Sequence, residues 1–347
     1  MFAAQIVAQR LTRIVDAEEP TLTQDGQIKI KMERGCLCGS DSPLFDYDLN
    51  EVLDEAHRNP EKRRSIPFID YDTDPYPMRV GQSIHECLGT IVESTSPRFK
   101  EGDFVLALPN AHDGLVEYMV AAANRAIHLP KDAVRKEEIL MTQPLGTVIW
   151  ACQKLGNLLD QDVVIAGQGP MGLMFTHMIA NLGAKSVIAL DKIDSRLEVS
   201  RRMNATHTVN VDQQDTVQAI REITNGKMAD ICVEAVGHQM KTINEVMGYV
   251  RRLGTILCFG VPDHANYEGF AYQEFFRQNL SLISSVGPDV VPNFSLARDL
   301  IAQGRIDVSP LVTHTLPFAE IQHGYELFVD RKDGAIKVVL DYENPGL

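Results

Sequence analysis

Residues Asp162 to Asp191 constrain the fold more than any other part of this 347-residue chain. Asp162-Val163-Val164-Ile165-Ala166 is a short apolar run rich in β-branched residues, the composition of a buried parallel strand. Gly167-Gln168-Gly169-Pro170-Met171-Gly172 follows in the spacing G-x-G-x-x-G and leads into a helical stretch, Leu173 to Ala180. A second strand, Ser186 to Leu190, ends on Asp191, 19 residues after Gly172. Each part has a physical task. Gly167 permits the tight turn, Gly169 lets backbone approach a pyrophosphate, and Gly172 lets the helix pack on the strand. The helix N-terminus offers free N–H groups and a positive dipole end to phosphates. Asp191 would accept hydrogen bonds from the adenosine ribose and repel a 2′-phosphate, which favours NAD over NADP. A lone G-x-G-x-x-G also occurs in ordinary Gly-rich turns. Strand, glycines, helix, strand and acid in register specify a dinucleotide-binding βαβ unit.

The organisation of the chain changes near residue 150. Before it, strand-like segments are separated by Gly, Pro and Asp: Gln27 to Met32, Gly89 to Glu93, Phe104 to Leu108 and Val116 to Val120. That spacing predicts an irregular, mostly antiparallel β domain. After Trp150, strands and helices alternate at the βαβ period. Further strands are expected at Asp230 to Ala235, Gly254 to Val261 and Leu280 to Ser285, with helices at Asp194 to Met203, Thr216 to Thr224 and Met240 to Arg251. From about Asn293 a helix (Phe294 to Ala302), Val312 to Leu316, a helix from Phe318 to Val329 and a strand Ala335 to Asp341 are too little for a domain of their own. The expected division is therefore α/β, with a β-rich domain over 1–150 completed by 293–347 and a nucleotide-binding domain over 151–292.

Charge and composition narrow the partners. A net charge of −14 argues against nucleic acid and anionic membranes. No apolar run approaches the roughly 20 residues that span a bilayer. The start, Met1 to Val7, reads as a strand and lacks the basic region of a signal peptide, and six cysteines in this length do not suggest a disulfide framework. A cytoplasmic location is expected.

A second chemical constellation lies in the N-terminal half. Gly35-Cys36-Leu37-Cys38-Gly39-Ser40-Asp41 is followed by Ser83-Ile84-His85-Glu86, Gly89-Thr90-Ile91-Val92-Glu93 and Gly102-Asp103-Phe104-Val105. Thiolate, imidazole and carboxylate form a catalytic-zinc donor set with a position left open. Taken alone, Cys38 is more often a small buried hydrophobe, and a single His-Glu pair is no more specific.

Together with the nucleotide unit, these segments resemble the zinc-dependent medium-chain dehydrogenase/reductase family, which includes alcohol, sorbitol, threonine and glucose dehydrogenases. The resemblance covers G-x-C-G-S-D, the H-E with G-x-V-x-E, the G-D-x-V, the G-x-G-x-x-G and the terminal Gly334-Ala335-Ile336-Lys337-Val338-Val339-Leu340. It implies a GroES-like catalytic domain and a Rossmann domain, with the active site in the cleft between them. It makes Cys38 and His85 zinc ligands, Glu86 a close carboxylate that ligates in some states, and Ser40 the first member of the proton relay. In polyol dehydrogenases a Glu-Pro-Leu segment supplies a further ligand; here Thr142-Gln143-Pro144-Leu145 puts Gln143 there, a neutral and poorer donor. Thr147 would contact the nicotinamide and Met171 would back its ring. Arg196 would contact the adenosine ribose and Lys337 the pyrophosphate, with Gly237, His238, Gly260 and Val261 lining the cofactor cleft. For each of these the plainer alternative is sheet packing or surface charge.

The chain departs from the pattern in three places. Ala107 to Tyr118 runs straight on where many relatives carry a cysteine-rich lobe, so one catalytic zinc and no structural zinc is expected. Pro43 stands where a relay histidine is common. Cys38 and His85 are 47 residues apart, about twice the usual gap. The added segment holds Leu49, Val52, Leu53 and Ala56 at helical spacing, stopped by Pro60. It sits either at the substrate mouth or a subunit contact, or is a surface elaboration. The resemblance implies NAD-linked oxidation of a secondary alcohol, polyol or sugar by a homodimer or homotetramer. Two alternatives stand beside it, a zinc-free quinone or enone reductase and an inactive NAD-binding protein.

Overall fold

Alternating apolar and polar residues build the strand Gln27–Cys36, whereas unbroken apolar runs build Asp162–Ala166 and Ser186–Asp191. The computed structural model describes residues 1–347 except Ser65, Pro67, Phe68, Asp132, Ala133, His238, Gln239, Met240, Asp263, Ala265 and Glu268. The chain divides into two compact units, Met1–Pro144 with Asp289–Leu347, and Leu145–Pro288. The chain passes from one to the other inside the helix Thr142–Cys152. Among the described residues, no helix is long and apolar enough to cross a membrane.

In the first unit the strand Gln27–Cys36 is the organising element. Ile28, Ile30 and Met32 are buried at every second position, as a half-buried strand requires. The strand runs four residues past the expected Met32 because Arg34 is neutralised on the sheet: its Nε and Nη1 lie 2.7–2.8 Å from Glu137, Asp341 and Glu343. It pairs antiparallel with Glu86–Ser94, Tyr118–Ala122 and Lys337–Asp341. The sheet continues from Glu86–Ser94 to Phe104–Ala107 and Ala126–His128 on one side, and from Lys337–Asp341 to Val312–Pro317 on the other. This register sets Cys36 opposite both Glu86 and Val339. Residues remote in sequence are thereby stacked at one edge.

The added segment folds as its spacing predicts. A helix spans Leu49–Arg58 and buries Leu49, Val52, Leu53 and Ala56. The Asp48 side chain caps it, accepting from the N–H groups of Asn50 and Glu51. Asp48→Ala is expected to lower stability by about 1 kcal/mol, measurable as a reduced urea midpoint with an unchanged slope.

The second unit is a six-stranded parallel sheet among the described residues, in the order His207–Asn210, Ser186–Asp191, Asp162–Ala166, Ala229–Glu234, Val250–Cys258, Ser281–Ser284. The order reverses direction at Asp162–Ala166, the topological switch point outside which ligands bind in open α/β sheets. The helix expected over Met240 to Arg251 is Thr242–Met247, with Met240 itself outside the described residues. Val250 already begins the next strand because it is buried and because Arg251 Nε pairs with Asp230 at 2.6 Å.

Candidate active site

Cys38 lies two residues past the end of the central strand, and His85-Glu86 open its neighbour, so the antiparallel register brings them together. The ligand atoms of Cys38, His85 and Glu86 all lie within 4.8 Å of one another. A soft sulfur, an imidazole nitrogen and a carboxylate oxygen at this separation fit zinc, whose catalytic sites take three protein donors and keep one position open. Glu86 is fully buried, and both its oxygens accept from Lys337 Nζ at 2.6 Å. Lys337 also donates to the Leu37 carbonyl at 3.3 Å. The expectation that Lys337 meets the pyrophosphate is therefore corrected. It is buried in the first unit as the counter-charge to Glu86, because the pairing of Val339 with Cys36 carries it there and an unpaired buried carboxylate is strongly unfavourable. Burial opposes the Lys337 charge, but Cys36, Glu86 and Cys38 outweigh it and raise the lysine above its ordinary pKa.

His85 faces Asp41. Its buried Nδ1 lies 3.6 Å from Asp41 Oδ1, an ion-pair distance beyond hydrogen-bond reach, and Nε2 is the nitrogen left for a metal. Asp41 is fully buried and accepts from the N–H of Cys38 at 2.9 Å and of Ile84 at 3.2 Å. One carboxylate thus ties both ligand-bearing segments. Burial works against the charge of Asp41, yet hydrogen bonding and the charge of His85 bring it below the usual carboxylate range. Burial likewise opposes a proton on His85, but Cys38 and Asp41 raise it well above the ordinary imidazole value. The negative field that attracts that proton also attracts a metal cation, which displaces it on binding.

His112 stacks on His85 with ring centroids 4.2 Å apart and planes 21° from parallel. Burial and the neighbouring His85 push its pKa down to about 4, so it is a neutral plate against the ligand ring. Asp41, His85 and His112 also have ligand atoms within 4.8 Å of one another. Nearly parallel stacked rings cannot both direct an in-plane lone pair at one ion, so this group supports the first rather than forming a second centre. Asp41 was legible only as the last letter of G-x-C-G-S-D. His112 carried no signal in the sequence.

Two buried hydroxyls near the predicted ligands Cys38 and Gln143 in sequence, Ser40 Oγ and Thr142 Oγ1, carry no hydrogen bond among the described residues. Gln143, next to Thr142, is buried in the first turn of the helix Thr142–Cys152.

In the second unit the three glycines of the G-x-G-x-x-G meet different surroundings. Gly167 has φ +90°, and a Cβ there would meet the Ala235 carbonyl oxygen at 3.1 Å. A Cβ at Gly172 would fall 1.8 Å from the Gly167 oxygen, whereas one at Gly169 would meet only Arg196 Nη1, at 4.0 Å. Gly172 is therefore a packing glycine, and Gly169 faces open space at the N-terminus of the helix Pro170–Asn181. Asp191 stands at the carboxyl end of its strand, accepting from Gln168 N at 2.7 Å and Ile193 N at 2.9 Å. Gly237 and Gly260 gather around Glu234, a residue not anticipated, and Val261 N would lie 3.0 Å from a Cβ at Gly237. The Glu234 carboxylate accepts from Val236 N, Gly237 N and Gly260 N at 2.9–3.2 Å. A Cβ at Gly260 would lie 2.4 Å from Gly237 N, which explains both glycines. Met171 is partly exposed at the start of its helix and Thr147 partly exposed within Thr142–Cys152. His238 lies outside the described residues.

Comparison with known proteins agrees with both halves. The family described as "Zinc-binding dehydrogenase" matches residues 170–303. An uncharacterized zinc-type alcohol dehydrogenase-like protein of Bacillus subtilis is 30% identical over 251 residues, 65% of this chain and 66% of that one. The L-threonine 3-dehydrogenase of Legionella pneumophila is 25% identical over 348 residues, covering 91% of this chain and 99% of its own. The solved structure of alcohol dehydrogenase TADH from Thermus sp. ATN1 superposes with a TM-score of 0.83 at 22% identity, covering 98% of this chain and 99% of that one. A GroES-like unit and a Rossmann unit, a zinc-type relative over 65% of the chain, a threonine dehydrogenase relative over 91% of it and a dinucleotide fingerprint at the switch point lead to one assignment: the chain belongs to the zinc-type medium-chain dehydrogenase family.

Proposed function

We propose that this protein is a zinc-dependent dehydrogenase that moves a hydride between NAD and a secondary alcohol, polyol or sugar. The observation that carries the reading is the convergence of the Cys38, His85 and Glu86 donors within 4.8 Å. Zinc held by Cys38 and His85, with Glu86 and Gln143 as further donors, would supply Lewis-acid polarisation of the substrate hydroxyl. NAD would supply the hydride acceptor, its reactive ring positioned by the protein.

The chain's own residues do the rest. Ser40 Oγ, without a hydrogen-bond partner among the described residues, takes the hydroxyl proton as the first relay member. With Pro43 at the usual histidine position, the proton leaves Ser40 by a different route. Asp41 and His112 flank the His85 ring, and Lys337 holds the Glu86 carboxylate in place. Gln143 contributes no charge, so the centre stays more electrophilic than one with a third anionic donor. Met171 and Thr147 flank the nicotinamide, and Asp191 and Arg196 address the adenosine ribose. Gly237, Gly260 and Val261 leave room for the cofactor beyond the strand ends.

The added segment shapes the substrate side. A cavity of about 520 Å³ is lined by Asp70, Thr73, Asp74 and Met78 of that segment, together with Gln82 and Ala111. Gln82 precedes His85 by three residues and Ala111 adjoins His112, so the cavity shares its walls with the ligand segments.

Metal analysis with an NAD-linked screen of polyols and sugars tests the proposal, with one zinc per chain and turnover on a CH–OH donor expected. A metal-free protein reducing enones points to the zinc-free reductase, and NAD binding without turnover to an inactive member. Asp191→Ser should shift discrimination toward NADP by about 1–3 kcal/mol, because it removes the charge facing a 2′-phosphate. A wild-type preference for NADP would overturn the role given to Asp191.

A further inference from the structure

We infer that Tyr325 is a positioning residue for the ligand pair His85-Glu86, acting through a strained two-residue arm, Ser83-Ile84. The inference rests on the zinc reading above. Ser83 has φ 108° and Ile84 φ 65°, and both immediately precede the ligands. Left-handed backbone is uncommon for any residue other than glycine and is an outlier for a β-branched one. Such conformations persist only where the surroundings over-determine them, and they gather at functional sites.

Here each polar group of the arm is engaged. Ser83 N donates to the His112 carbonyl at 2.6 Å, and Ile84 N donates to Asp41 Oδ1 at 3.2 Å. The carbonyls of Ser83 and Ile84 both accept from Gly114 N, at 3.0 and 3.1 Å. The remaining group, Ser83 Oγ, accepts from the Tyr325 hydroxyl at 2.5 Å across a separation of 242 residues. The other four bonds come from Asp41 and from residues 112–114, segments that adjoin the ligands. Among the described residues, Tyr325 supplies the arm's hydrogen bond to the helix Ile321–Asp330, in the part of the chain that returns to the first unit.

Tyr325 is itself fixed. It is fully buried, and its ring stacks on Phe45 with centroids 4.4 Å apart and planes 6° from parallel. Phe45 belongs to the short helix Ser42–Asp46 that follows the Cys38 turn. The ring of Tyr325 therefore packs against the Cys38 side of the site, and its hydroxyl restrains the His85 side. Without that hydroxyl the arm can relax toward extended backbone, and each degree of rotation at Ile84 swings His85 and Glu86 relative to Cys38. The hydroxyl sets the spacing of the donors.

Tyr325→Phe tests this, because it keeps the stacked ring and removes only the donor. Ser83→Ala removes the acceptor and serves as the second variant should Tyr325→Phe fold poorly. The measurements are the rate of zinc release to a chelator, the visible spectrum of the cobalt-substituted protein, NAD affinity, and melting of the zinc-free chain. Both variants should release zinc about 10–100-fold faster, the range found for partners that orient metal ligands. Both should show an altered cobalt spectrum and a lower kcat with little change in KM, while NAD affinity holds. The double variant should behave like either single one. Wild-type zinc content with unchanged release and spectrum in both variants overturns the role of Tyr325. A wild-type protein that binds no zinc instead overturns the zinc reading itself, so the two failures are separable.

Discussion

Cys38→Ser is expected to strip zinc from the protein and reduce turnover on the order of 10³-fold or more, while NAD still binds. The magnitude follows from the several kcal/mol of charge stabilisation that a Lewis-acidic metal supplies, at about 1.4 kcal/mol per tenfold in rate. A serine hydroxyl is harder than a thiolate and stays protonated near neutral pH, so it cannot replace the sulfur as an anionic donor. His85, Glu86 and Gln143 would then hold the ion with a single carboxylate donor, which is already engaged twice by Lys337 at 2.6 Å. Cofactor binding should survive because Gly167, Gly169, Gly172 and Asp191 all belong to the unit Leu145–Pro288, whereas Cys38 belongs to the other. Zinc content, kcat and a fluorescence titration with NADH separate the effects. Full zinc content in the variant would place the metal elsewhere, and the zinc-free reductase would become the better account.

The two halves of the site were unequally legible in the sequence, for a physical reason. The dinucleotide cradle is made by contiguous residues whose backbone demands are local. Gly167 needs positive φ, Gly172 needs to lack a Cβ, and Asp191 lies one βα crossover away. Spacing alone records such constraints. The proposed metal donors come from two segments whose approach depends on strand pairing, so Cys38 and His85 taken singly stayed ambiguous. Their partners were harder still. Lys337 reaches Glu86 only because Val339 pairs with Cys36, a register set over some three hundred residues. His112 and Tyr325 meet the ligand arm from other elements, and no local pattern marks either. The continuation of the central strand past Met32 was hidden in the same way, since Arg34 is tolerable there only with distant acids beside it. Glu234 reads as the last residue of an apolar strand until Gly237 and Gly260 are seen donating to it.

The glycines of the cradle give the sharpest separation of stability from binding. Gly172→Ala would place a Cβ 1.8 Å from the Gly167 carbonyl oxygen, a contact with backbone that no rotamer can relieve. Either the helix Pro170–Asn181 lifts off the sheet or the turn after Ala166 deforms. Both disturb a core in which Leu173, Phe175 and Ile179 are fully buried. A loss on the order of 4–5 kcal/mol is expected, at the upper end for a single substitution, together with loss of NAD binding. Gly169→Ala should behave in the opposite way. Its φ of −69° suits any residue, and the added methyl meets nothing nearer than Arg196 Nη1 at 4.0 Å. Folding stability should stay within about 0.5 kcal/mol of wild type, or rise slightly as the unfolded chain loses freedom. The methyl nevertheless occupies the side from which a pyrophosphate would approach the helix N-terminus, so NAD affinity should fall by tenfold or more, about 1.4 kcal/mol. Urea unfolding and NADH titration of the two variants are the measurements. If Gly169→Ala bound NADH as well as wild type, the phosphates would lie elsewhere and the cradle would be a packing motif alone.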